Sequence, residues 1–198
     1  MSNYWNERYS KEEYAYGDEP NVFFAEQLKL LKPGVVIFPC EGEGRNAVYA
    51  ASQGWTVHAF DSSEAGKTKA LLLAQKKGQT IQYIIDDALD VQYPKATVDA
   101  VVFIFAHFPP SIRATVHQKA IDWLKPGGKI ILEAFNPNQL QNTSGGPQDI
   151  SMLYTEDMLR ADFAGLEIEL LQLIETSLTE GRFHQGKADV IRFVGVKK

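Results

Sequence analysis

Short apolar runs alternate with helical stretches, with almost no slack between residues 35 and 135, and this rhythm constrains the chain more than any other feature. Val35-Val36-Ile37-Phe38 is continuously apolar, as a strand buried on both faces requires. Residues 45–53 read as a helix, and Gly54 supplies its left-handed stop. A second strand covers 56–60 and ends at Asp61. A helix rich in Ala, Leu and Lys follows over 64–77 and is stopped by Gly78. Residues 81–85 form a third strand ahead of Asp86-Asp87, and 100–105 a fourth. Past Pro109-Pro110, Ser111 is placed to cap a helix whose Ile112, Val116, Ala120 and Trp123 share one face. Lys125-Pro126-Gly127-Gly128 stops that helix before a strand over 129–135. Such alternation predicts an α/β, doubly wound, mostly parallel sheet with right-handed crossovers.

The two ends differ. A helix over 21–31 puts Phe24, Leu28 and Leu31 on one face. Residues 136–148 are polar and aperiodic and contain Gly145-Gly146, so they read as a functional or mobile loop. Thr155, with Glu156 and Asp157 behind it, opens a helix ending near Phe163. Leu166, Ile168 and Leu170 then alternate with acids, a break spans 181–186, and 190–196 is apolar again. That pattern predicts a C-terminal antiparallel hairpin. With 198 residues, a single domain over 1–198 is expected, made of an N-terminal cover and helix (1–33), a core (34–135) and a loop, helix and hairpin (136–198). The longest apolar run, 100–106, is far short of a membrane span, and the first residues carry no apolar leader. One cysteine allows no intramolecular disulfide and no multi-thiolate metal site, and no metal is expected. The net charge of −5 and scattered basic residues argue against nucleic acid, leaving a small molecule as partner and the cytoplasm as location.

Ligands in open parallel sheets bind beyond the carboxyl ends of the strands. That rule gathers the turns after the first four strands. The first is E-G-E-G-R-N, Glu41 to Asn46, where Gly42 and Gly44 let the backbone pass close to a ligand. With Ala47 it also satisfies G-x-G-x-x-A, the dinucleotide fingerprint. Asp61, at the end of the second strand, is placed to accept the hydroxyls of a ribose. These features fit a nicotinamide dinucleotide and S-adenosylmethionine equally.

The wider pattern separates them. Residues 87–102, D-A-L-D-V-Q-Y-P-K-A-T-V-D-A-V-V, followed by L-K-P-G-G-K-I-I-L at 124–132, resemble class I S-adenosylmethionine-dependent methyltransferases. G-E-G-R-N-A at 42–47, H-F-P-P-S-I-R at 107–113 and E-G-R-F-H at 180–184 resemble, within that class, small methyltransferases of the tellurite-resistance type. The resemblance implies a Rossmann-like sheet of seven strands and methyl transfer from S-adenosyl-L-methionine to a small soluble acceptor, such as a thiol, selenium or tellurium species. It implies backbone contacts from Cys40, Glu41, Gly42 and Gly44, with Asn46 beside them, to the methionine portion. Asp61 would hold the ribose, Ser62 would lie beside the adenine, and Asp87 and the Ala88 amide would bond it. Phe105 would lend its carbonyl to the ammonium. Arg8 and Tyr16 belong to the aromatic N-terminal segment that closes over the cofactor in relatives. His107 and His184 are the candidate catalytic residues. Two positions depart from the family: Phe38 stands where an acid is common, and Cys40 where the first glycine of the motif falls. An NAD-dependent oxidoreductase and a non-catalytic S-adenosylmethionine-binding protein are the alternatives. Phe108, before the proline pair, stands where adenine-N6 methyltransferases carry an acid, so DNA methylation is not expected.

Overall fold

The computed structural model describes residues 2–198. Its strands are β1 (Val35–Pro39), β2 (Thr56–Asp61), β3 (Gln82–Ile85), β4 (Val98–Ile104), β5 (Leu124–Phe135), β6 (Leu166–Glu180) and β7 (His184–Lys197). Its α-helices are α1 (Ser2–Tyr9), α2 (Val22–Leu28), α3 (Arg45–Ser52), α4 (Glu64–Lys76), α5 (Pro110–Trp123) and α6 (Glu156–Asp162). The sheet runs β3-β2-β1-β4-β5-β7-β6, parallel from β3 through β5, with β7 antiparallel to both of its neighbours. Strand order therefore reverses between β1 and β4, where the crevice for a ligand opens.

The pleat of β1 explains its unbroken apolar run. Ile37 packs into a core on one face with Phe103, Ile130 and Trp123. Val36 and Phe38 point to the other face, among Phe24, Ala47 and Leu73. A strand covered by helices on both sides has no polar face to offer.

Several boundaries move for local reasons. Helix α2 ends at Leu28 rather than Leu31, and Asn21 caps it by accepting the Phe24 amide at 2.9 Å. Pro109, not Ser111, precedes α5, because Pro110 fills the first helical position, where a missing N–H costs nothing. The hairpin is much longer than the apolar alternation indicates, with only residues 181–183 between its strands. Polar residues such as Thr176, Ser177 and Thr179 extend β6, which is the outer strand of the sheet. The 136–148 loop is pinned rather than free. Gln139 is buried, accepts the Asp189 amide at 2.9 Å and donates to Ser144 Oγ and the Gly145 carbonyl, both at 2.9 Å.

The β1–α3 turn is the tightest point of the fold. Gly44 has φ +87°, and a Cβ there would lie 2.5 Å from the Ala70 Cβ and 2.8 Å from its Cα on α4. Both the backbone conformation and the closeness of α4 exclude a side chain. Gly44→Ala is expected to cost about 2 kcal/mol or more, from left-handed strain plus overpacking. Urea unfolding checks this, and a loss below about 0.5 kcal/mol would show that α4 can shift away freely.

Candidate active site

At the β1/β4 crevice lies a cavity of about 630 Å³. Every residue singled out from the sequence lines it except Gly42 and Gly44, which shape the turn beneath it. Its walls come from the turns after β1, β2, β3 and β4, from the 143–147 loop, from α1 and from the β6–β7 turn.

Both central strands end in strained residues. Cys40 after β1 has φ +54° and Phe105 after β4 has φ +53°. Left-handed backbone is costly for side chains with a Cβ, roughly 1–3 kcal/mol, and it clusters where ligands are gripped. Gly42 is fixed from two sides: its amide donates to Asp61 Oδ2 at 3.0 Å, and its carbonyl accepts from the Tyr83 hydroxyl at 2.7 Å. The other Asp61 oxygen accepts the Ser63 amide at 2.9 Å. A carboxylate oxygen has two lone pairs, so each still has one for a ligand hydroxyl. At the third turn Asp87 Oδ1 accepts the Leu89 amide at 2.9 Å. The Ala88 amide donates to no group among the described residues. Asn46 turns its Oδ1 to the Asn21 amide at 2.9 Å, tying α2 to α3.

The two histidines face one cavity but differ in chemistry. His107 spends both ring nitrogens on backbone: Nδ1 lies 2.7 Å from the Met152 carbonyl, and Nε2 accepts the Phe135 amide at 3.2 Å. Burial pushes it down to about 4, against the Met152 carbonyl. With both nitrogens engaged it braces the Met152 carbonyl against the end of β5, and in this arrangement neither nitrogen is open to the cavity. His184 Nδ1 lies 3.3 Å from Glu180 Oε2, and its ring packs against Tyr16 and Phe105, with centroids 4.5 Å away in each case. Its Nε2 has no partner among the described residues. A Cβ on Gly145 would sit 3.2 Å from Nε2, so glycine there keeps that nitrogen open. Burial, helped by Arg45 and Arg8 and opposed by Glu180, lowers the His184 pKa and leaves the ring neutral near pH 7. Burial would raise Glu180, but His184 and Arg45 pull it down to about 2.

Sequence reasoning gave no role to the residues that hold the N-terminal segment down. Lys69, on α4, pairs with Glu43 at 2.5 Å and donates to the carbonyls of Lys11 at 2.8 Å and Glu13 at 2.6 Å. Glu43 Oε2 accepts the Ala15 amide at 2.7 Å, and the Ala15 carbonyl accepts the Arg182 amide at 3.0 Å. Tyr9 is buried and stacks on Trp5 at 5.5 Å, above Gly42. Only Glu180-x-x-x-His184, within the E-G-R-F-H element, carried a signal in the sequence, and it needs a strand turn to bring the pair together.

Residues 38–128 match the family model described as a methyltransferase domain. The fold is that of several solved structures. One comes from work on the conversion of a disulfide bond into a thioacetal group during echinomycin biosynthesis; it shares 16% identity and a TM-score of 0.77 over 100% of this chain and 92% of that one. TehB from Haemophilus influenzae shares 16% identity and a TM-score of 0.73 over 100% of this chain and 67% of that one. Magnesium protoporphyrin IX methyltransferase from Synechocystis PCC 6803, with bound S-adenosylhomocysteine, shares 18% identity and a TM-score of 0.73 over 100% and 97%. No curated protein sequence matches the chain. The chain thus carries a methyltransferase domain over residues 38–128, within the mostly parallel seven-stranded sheet of these structures. The matched domain is that of a methyltransferase, so the G-x-G-x-x-A match at 42–47 does not by itself mark a nicotinamide site.

Lys69→Met should free the segment over the cavity, because it leaves Glu43 buried without its cation. Losing about 3 kcal/mol locally would speed amide exchange over residues 9–17 on the order of a hundredfold. Unchanged exchange would show that aromatic packing alone holds the segment.

Proposed function

We propose that the protein methylates a small acceptor bearing a soft, protonated nucleophile, a thiol or its selenium or tellurium counterpart, and that His184 removes the acceptor's proton. The observation that carries this reading is the His184 ring: neutral, fixed at Nδ1 by an ionised Glu180, and with Nε2 free at the cavity. Such a base is matched to a group that loses its proton not far above neutral pH. When bound, S-adenosylmethionine supplies an activated methyl on a sulfonium. The protein's share is alignment, exclusion of water and the proton.

In this reading Asp61 holds the ribose with its remaining lone pairs, and Ser62 lies beside the adenine. Asp87 and the Ala88 amide bond the adenine edge. The backbone of Cys40, Glu41, Gly42 and Gly44 and the Phe105 carbonyl meet the methionine portion, with Asn46 holding the turn from behind. Arg8 and Tyr16 close the cavity from above. The disulfide-to-thioacetal conversion to which the echinomycin structure belongs supports a sulfur acceptor, as a soft nucleophile. The net charge of −5 favours a small soluble acceptor in the cytoplasm over nucleic acid. No helix among the described residues is long and apolar enough to cross a membrane.

S-adenosylhomocysteine should raise the melting temperature, by the equivalent of about 2.7 kcal/mol at a hundredfold excess over Kd, while NAD leaves it unchanged. A response to NAD alone would sink the cofactor reading.

Turnover with a panel of thiols and chalcogen oxyanions tests the acceptor. His184→Ala should lower single-turnover rates by roughly 10²–10⁴-fold with S-adenosylhomocysteine binding intact. Because the His184 pKa is lowered, wild-type rates should be level above about pH 7 and fall only in acid, as the ring gains a proton and Nε2 is lost as an acceptor. A rate that keeps climbing well above neutral pH, or an active His184→Ala, would mean that the acceptor arrives already ionised.

A further inference from the structure

Arg8, Arg45 and Arg182 all line the cavity, in a chain whose net charge is −5. Arg45 has an acid, Glu180, at 2.8 Å. Arg8 and Arg182 pair with no carboxylate among the described residues; the Arg8 guanidinium donates only to the Tyr4 hydroxyl. We propose that Arg182 sets the acceptor's identity: it holds a carboxylate at one end of a small organic thiol whose sulfur lies at His184 Nε2. The inference deepens the soft-acceptor reading and rests on it.

The two guanidinium groups gather at one ring. Arg8 Cζ lies 3.9 Å and Arg182 Cζ 5.6 Å from the centroid of Phe183. The aromatic face attracts each of them, but two like charges at one ring repel, and an anion beside them relieves that repulsion. The acids that line the cavity are placed elsewhere. Glu43 pairs with Lys69 at 2.5 Å, and Glu41 accepts the Ala47 amide at 2.7 Å in the β1–α3 turn. Asp61 closes β2, and Asp86 and Asp87 follow β3, in the half of the sheet away from the β6–β7 turn. With Arg8 closing over the cofactor, Arg182 is left for the acceptor. Its amide donates to the Ala15 carbonyl at 3.0 Å, so its backbone is held while the side chain is exposed.

The wall beside Arg182 suits a short acceptor. The His184 ring meets Phe105 and Phe135, with centroids 4.5 Å and 5.3 Å away, which offers apolar surface to a few methylene groups. The 143–147 loop presses on the same turn: a Cβ on Gly145 would lie 2.7 Å from the Phe183 carbonyl oxygen and 2.8 Å from His184 Cδ2. Gly145 and Gly146 line the cavity, and their amides donate to no group among the described residues. A carboxylate accepts from guanidinium and amide N–H groups alike, whereas an ammonium has nothing to offer either. In the transfer, the thiol proton passes to His184 Nε2, the acceptor sulfur gains the methyl group, and the sulfonium is left as a thioether.

Methyl transfer to mercaptopropionate, mercaptopropanol and cysteamine by wild type, Arg182→Gln and Arg182→Lys tests this. The first two thiols differ in the charge of one end, and cysteamine reverses that charge. Wild type should show its highest kcat/KM with mercaptopropionate. Arg182→Gln should lower that value about tenfold to a hundredfold, mainly through KM, and leave mercaptopropanol unchanged. Arg182→Lys, which keeps the charge, should restore part of the loss. All three proteins should bind S-adenosylhomocysteine alike. Equal turnover of the charged and neutral thiols by wild type would overturn the proposal and leave the soft-acceptor reading standing. So would equal losses for both thiols in Arg182→Gln, no loss for either, or a loss of S-adenosylhomocysteine affinity. Wild type that binds S-adenosylhomocysteine but methylates none of the thiols would overturn that reading and the proposal with it.

Discussion

One buried polar junction connects the parts of this molecule that apolar packing alone would leave adjustable. Asn21, at the start of α2, donates to Glu133 on β5 at 2.6 Å and to Glu180 at the end of β6 at 3.0 Å. Glu133 pairs with Arg192 on β7 at 2.5 Å, and Glu180 with Arg45 on α3 at 2.8 Å. Two acids and two arginines balance. Desolvating them is expensive, so the junction adds little net stability when complete, but removing any one of the four charged side chains leaves a buried charge unpaired. Its effect is specificity of arrangement. The hairpin end, the first helix of the core and the N-terminal segment are held in one register, and His184 takes its orientation from Glu180 as a result.

Around that junction the site is built by contacts distant in sequence. The Gly17 and Gly181 backbones come so close that a Cβ on Gly181 would lie 2.3 Å from the Gly17 nitrogen. The N-terminal segment and the hairpin turn thus close the cavity together, and the Glu43–Lys69 pair fastens the same segment to the glycine turn. The strained backbone at Cys40 and Phe105 sits at the two strand ends that this cover faces, where a parallel sheet presents its ligand.

Much of the fold was legible in the chain. The β1 run, the helix stops at Gly54 and Gly78 and the alternation through residue 135 are local, and a doubly covered parallel sheet demands them. The length of the hairpin was not legible, because residues 171–180 form an outer strand whose polar side chains need no apolar pattern. Helix α1 was missed as well, since its order comes from Tyr9 and Trp5 packing over the glycine turn and from Asn6, which accepts the Ser63 hydroxyl at 2.8 Å. In the site, the acids and glycines could be placed because each stands at a strand end, a position that chain order already fixes.

The sequence by itself determined the class of sheet, the crevice where a ligand goes and the residue types around it, because these follow from periodicity and from where strands must stop. Only the tertiary structure decided what each polar residue does there. Two histidines that read alike in the sequence become a strut and a free acceptor, because one ring meets two backbone groups and the other meets one carboxylate and open space. The role of a titratable side chain depends on its partners and its burial, and both come from segments far away in the chain.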